Sequence, residues 1–76
     1  MSRSNTAAVL WQILEEVEGG RRKKMFTKAR VSESILGRAL NDKQLPGDAM
    51  AEKIAIAYPT YAKAFLEAWR PDRMAQ

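Results

Sequence analysis

The chain has 76 residues, 46% of them apolar, with a formal net charge of +4; that is room for one small domain, expected over residues 1–76 with an ordered core at 5–70, burying only about 60% of its unfolded surface. It holds no cysteine and no histidine, which excludes disulfides and thiolate metal sites and removes the commonest general base and metal ligand. With no nucleophile–base pair and no metal cluster in the sequence, neither an enzyme nor a cofactor or metal site is expected.

MSRSNTAAVLWQILEEVEGG places one basic residue before an apolar stretch broken at Gln12, Glu15 and Glu16, so neither a signal peptide nor a membrane span is expected there. Asn5 and Thr6 are good N-cap types, and Leu10, Ile13, Leu14 and Val17 recur at i, i+3, i+4 and i+7, predicting a first amphipathic helix that Gly19 and Gly20 end. Trp11, one step off this stripe, is expected to widen the buried face, and Glu15, Glu16 and Glu18 to be solvated. RRKKMFTKA predicts a second, short helix with Met25, Phe26 and Ala29 inward; its first turn carries four cations that oppose the positive end of the helix dipole. Ser32 is an N-cap candidate for a third helix, SESILGRALN, with Ile35, Leu36, Ala39 and Leu40 as its apolar side and Ser34, Gly37 and Arg38 outward.

The turn-rich NDKQLPG leads through Pro46, Gly47 and Asp48 into a fourth helix, DAMAEKIAIAY, burying Met50, Ile54, Ala57 and Tyr58. Pro59 is expected to stop it and Thr60 to cap a fifth, YAKAFLEAW, with Ala62, Phe65, Leu66 and Trp69 inward; Pro71 should end order, leaving DRMAQ frayed. No segment alternates with period two over five or more residues, so the fold class is all-α, a compact five-helix domain.

Charge is unevenly placed. Between Arg21 and Lys43 eight basic residues face only Glu33 and Asp42, a net of +6, whereas the rest of the chain has five basic and seven acidic residues, a net of −2. One segment therefore carries more than the whole surplus, as a polyanion partner requires. The same segment contains two short helices joined by a tight three-residue turn, the outline of a helix-turn-helix. For the second of these to enter a major groove about 12 Å wide, its apolar residues must anchor it from one side only. Val31 would fill the turn, Leu36, Ala39 and Leu40 would anchor inward, and Ser32, Glu33, Ser34, Gly37 and Arg38 remain for the groove.

RVSESILGRALNDKQLPGDAMAEKIA, and more loosely KKMFTKA before it, resembles the Cro/repressor-type helix-turn-helix regulators, the XRE family, in its turn, third helix, Asn-containing loop, proline and following helix. The resemblance covers Arg22 to Tyr58. It implies a lambda-repressor-like fold, dimeric binding to inverted-repeat operators on double-stranded DNA, and a cytoplasmic location in a prokaryote or its phage, which the lack of cysteine fits. It implies base contacts from Ser32, Glu33, Ser34, Gly37 and Arg38, and backbone contacts from Arg22, Lys23 and Thr27. The sequence departs from the family at two places. Phe26 replaces a small residue and would push the two helices apart unless the small Ala29 compensates; Arg30 replaces glycine and avoids strain only if the turn is not left-handed there.

Arg21, Lys24, Lys28 and Lys43 complete the expected phosphate contacts. Arg38 can read guanine through its fork on O6 and N7, contact a phosphate, or merely pair with Glu33 or Asp42, and Glu33 can accept from cytosine N4. A monomer this small buries too little interface for tight binding, which points to a homodimer; Tyr61, Phe65 and Trp69 are candidates for its contact, or else ordinary core. With no separate ligand domain, no small-molecule ligand is expected. The expected function is a sequence-specific regulator that represses by occupying a promoter. The alternative is a small inhibitor or antitoxin-like subunit that keeps the helix-turn-helix frame to bind protein. RNA is disfavoured because no aromatic platform interleaves the basic residues.

Overall fold

A computed structural model describes residues 3–75 and folds them into five helices: α1 (Asn5–Glu16), α2 (Arg22–Ala29), α3 (Glu33–Leu40), α4 (Asp48–Ala57) and α5 (Pro59–Met74). No strand occurs among the described residues, so the class is all-α. α5 is the spine: α1 and α4 pack on it, α3 also touches α1, and α2 rests on α3 and α4. Phe65, wholly buried, sits in a core shared with Leu10, Ile13 and Leu14 of α1, Met25 of α2, Leu36 and Leu40 of α3, and Ile54 of α4.

α1 follows its apolar spacing through Leu14 and then departs from it. Val17 is 40% exposed because the helix ends at Glu16 and the chain turns back through Gly19 and Gly20, both at positive φ, where glycine is free of Cβ strain. The cap is Ser4, not Asn5 or Thr6: its hydroxyl accepts from the Ala7 amide at 3.1 Å. Thr6 is instead buried, and its hydroxyl is committed to the opposite end of the chain.

That commitment overturns the expectation of a frayed tail. α5 runs through Pro71 to Met74, although Pro71 removes one intrahelical hydrogen bond. The Asp72 carboxylate accepts from both the amide (2.9 Å) and the hydroxyl (2.6 Å) of Thr6, and Arg73 pairs with Asp48 at 3.1 Å. These long-range partners hold the last turn on the domain; only Gln76 of the DRMAQ segment lies outside the described residues. Thr60 is not a cap either. Pro59 itself occupies the first helical position of α5, where the missing amide would have had no partner, and no side chain caps that end.

α2 and α3 are joined by Arg30, Val31 and Ser32. Met25 and Ala29 are buried and Phe26 is half-buried at the edge of the core, so the small Ala29 carries the close packing. Arg30 adopts the left-handed conformation (φ 58°, ψ 44°), and Val31 and Arg30 donate backward to the Phe26 and Thr27 carbonyls. This is a glycine-type helix ending with an arginine in it, a strain of about 1 kcal/mol or slightly more. The Lys53 ammonium of α4 donates to the Arg30 carbonyl at 3.3 Å and ties the turn down.

α3 starts at Ser32, whose hydroxyl accepts from the Ile35 amide at 3.2 Å. Leu36, Ala39 and Leu40 are buried as expected, but Ile35 is 39% exposed. A helix of eight residues presents one stripe to the core, and 36, 39 and 40 define it; Ile35 falls a quarter-turn away, in a shallow groove with Val31, Leu45 and Met50. In α4, Met50, Ala51 and Ile54 are buried, as is Tyr58 just past its end, and Ala57 is only half-covered.

Candidate nucleic-acid interface

The exposed side of α3 is set by its buried side. With Leu36, Ala39 and Leu40 turned to the core, Ser32, Glu33, Ser34 and Arg38 are left exposed and Gly37 lies among them, partly covered. A Cβ built at Gly37 meets nothing within 4 Å. No packing inside the domain requires a glycine there, although glycine in mid-helix costs about 1 kcal/mol relative to alanine. Among the described residues Arg38 joins no ion pair; the pairs present are Lys63–Glu67 and Arg73–Asp48, so neither Glu33 nor Asp42 neutralises it.

The basic residues ahead of α3 are likewise free of acidic partners among the described residues. Arg21, Lys23, Lys24, Thr27 and Lys28 line an open groove along α2 in which Glu18 is the lone acid. No acidic residue stands in the first turn of α2 and no side chain caps it, so its amide dipoles and its cations face solvent together. Lys43, exposed, follows α3.

Not every basic residue projects freely. The Lys28 ammonium lies 4.8 Å from the Tyr58 ring centroid, and the Tyr58 hydroxyl donates to Glu18 at 2.8 Å. Burial first, then the hydrogen bond to Glu18 and its negative charge, push the Tyr58 phenol well above its ordinary value, so it remains a neutral donor across the physiological range. Tyr61 donates to Glu16 in the same way at 2.9 Å, and that hydrogen bond raises its pKa as well. The Arg22 guanidinium lies 5.4 Å from the Trp11 ring centroid, and Arg3 approaches the same ring at 4.5 Å. Trp11 is half-buried, and its indole N–H donates to the Leu40 carbonyl at 2.8 Å, closing one of the unpaired carbonyls at the end of α3.

The charge count over Arg21–Lys43 missed Arg3, because it precedes α1 and only the tertiary structure, which sets both arginines against Trp11, brings it near Arg22. Its one sequence signal is the Ser4 cap beside it. The candidate dimer residues divide: Phe65 is fully buried and Trp69 is 9% exposed, so both are core of the single chain with no surface for a partner, while Tyr61 keeps a half-exposed ring. Among the described residues no group of His, Cys, Asp or Glu side chains could hold a metal ion, and no helix is long and apolar enough to cross a membrane. Comparison with protein-family models, with curated proteins and with solved structures finds no match to the chain.

Proposed function

We propose that the chain is a sequence-specific DNA-binding transcriptional regulator built on a Cro/repressor-type helix-turn-helix, a repressor that occupies an inverted-repeat operator as a homodimer and excludes polymerase. The observation that carries this reading is the outer face of α3: an unpaired Arg38 beside Ser34 and a glycine that nothing inside the domain needs. A backbone bare at Gly37 lets α3 seat deeply in a major groove, where the Arg38 fork matches guanine O6 and N7, the serine hydroxyls bond to either base type, and Glu33 accepts from cytosine N4. Arg21, Arg22, Lys23, Lys24 and Lys43, with the Thr27 hydroxyl, then meet phosphates on either side. About five phosphates neutralised per monomer would make log K fall against log salt with a slope near −4 to −5.

Sequence preference and affinity separate in mutants. Arg38→Ala with Ser34→Ala changes which sequences bind, by about 1–3 kcal/mol at the base pair read, whereas Lys23→Ala with Lys24→Ala weakens all sequences alike. Gly37→Ala raises helix propensity by up to about 1 kcal/mol and nevertheless weakens DNA binding, because the added methyl stands between α3 and the bases. Footprinting the purified protein over the DNA flanking its own coding region tests the whole reading. Protected half-sites one helical turn apart support a dimer, and no protection at low salt overturns DNA binding in favour of a protein partner. The dimer contact falls to apolar surface outside the core, with Tyr61 and the 71% exposed Ile56 as its candidates.

A further inference from the structure

We infer that Arg3, Trp11 and Arg22 form a clamp for one phosphate group at the C-terminal end of α3, with Trp11 as the positioning residue. Three observations meet there. The guanidinium carbons of Arg3 and Arg22 lie 4.5 and 5.4 Å from one ring centroid, which keeps them within about 10 Å of each other, one Debye length at 0.1 M salt, so their repulsion is felt. Neither joins an ion pair among the described residues; Asp42, the carboxylate at this corner, accepts from the Ser4 amide at 2.7 Å and from the Ser4 hydroxyl rather than pairing with either arginine. The ring that gathers them is itself fixed by its N–H bond to the Leu40 carbonyl.

Two like charges set against one indole ring, neither in an ion pair among the described residues, are an arrangement that an anion completes. Arginine forks match the oxygens of phosphate in pairs, and stacking on the indole removes part of the freedom each would lose on binding. Ser4, bonded to Asp42, anchors the chain one residue after Arg3 and so holds the N-terminal segment against the loop that follows α3. As a contact to a DNA backbone the clamp rests on the function proposed above, and it extends the expected phosphate contacts to a residue outside the basic segment. A free phosphate would satisfy the same chemistry.

The full chain is measured in two arms. In the first, the affinity for duplex DNA is followed against salt for the wild type, Arg3→Ala, Arg22→Ala, Trp11→Leu and Trp11→Phe. Each arginine variant should flatten the slope by about 0.9 and weaken all sequences alike. Trp11→Leu should flatten it in the same direction, and Trp11→Phe, which keeps a ring face without the N–H, should restore most of it; a merely structural tryptophan would lower stability in both and leave the slope unmoved. In the second arm, inorganic phosphate is titrated while the indole and guanidinium N–H resonances of Trp11, Arg3 and Arg22 are followed. Saturable shifts that vanish in Arg3→Ala support the site. A shift with phosphate but an unchanged DNA slope assigns the site to free phosphate and overturns its DNA role. If the wild type binds no DNA, the proposed function fails while the phosphate arm still decides the clamp. Unmoved resonances together with unmoved slopes overturn it.

Discussion

The two tryptophans sit at opposite ends of the loop between α3 and α4 and make the same hydrogen bond, an indole N–H donating to a backbone carbonyl: Trp11 to Leu40 at 2.8 Å, Trp69 to Pro46 at 2.7 Å. Each also attracts arginine, Arg3 and Arg22 to Trp11 and Arg73 to Trp69 at 5.4 Å. The difference lies in what balances the charge. Arg73 is paired with Asp48, and Trp69 is buried under the pair; the Trp11 corner is half-open, its two arginines join no ion pair among the described residues, and the nearby Asp42 is bonded to Ser4 instead. One chemistry thus makes a closed structural corner where an acid pairs with the arginine and an open one where the arginines stay unpaired.

The largest effect expected from breaking this comparison is at the closed corner. Trp69→Ala leaves a cavity and an unpaired Pro46 carbonyl in the core and should destabilise by about 3–5 kcal/mol, read from the midpoint of urea unfolding. Trp11→Ala loses one hydrogen bond and two exposed cation–ring contacts, and should cost about 2 kcal/mol in the same measurement. If the two substitutions cost the same, the corners do not differ as described.

A smaller effect, of opposite sign, sharpens the contrast at the turn between α2 and α3. Arg30→Gly should stabilise by about 1 kcal/mol, since glycine enters the left-handed conformation freely; thermal unfolding that shifts downward would show that the arginine stem contributes more than its strain costs. Smallest of all, Arg73→Ala should lower stability by roughly 0.2–1 kcal/mol, because Asp48 is largely exposed and solvent screens the pair; added salt should erase most of the difference.

Where local rules act alone, the residues could be read in advance. Ser32 caps α3, Gly19 and Gly20 turn the chain after α1, and Leu36, Ala39 and Leu40 point inward, since capping and helical period are decided within a few residues. The exposed face of α3 was legible for the same reason: naming the buried stripe of a short helix names its opposite. Misreadings fell where a distant partner outweighed a local preference. Pro71 is a helix breaker by itself, yet the Thr6–Asp72 contact across 66 residues keeps the chain helical beyond it. The handedness of the turn at Arg30 is left open by the sequence, and the packing of α2 on α3 with the Lys53 contact decides it as left-handed. Ile35, apolar and beside Leu36, is expected inward from its sequence, but a helix of eight residues has too narrow a core face to take both.

By itself the sequence determined five helices, an all-α class, the basic segment from Arg21 to Lys43 and the small-residue face of α3, because composition and period act over one or two turns. Only the tertiary structure decided that α5 runs to Met74, that Phe65 and Trp69 belong to the core, and that Arg3 reaches Arg22 across Trp11. Those outcomes join residues far apart in the chain, and their energies exist only once α1, α3 and α5 have packed.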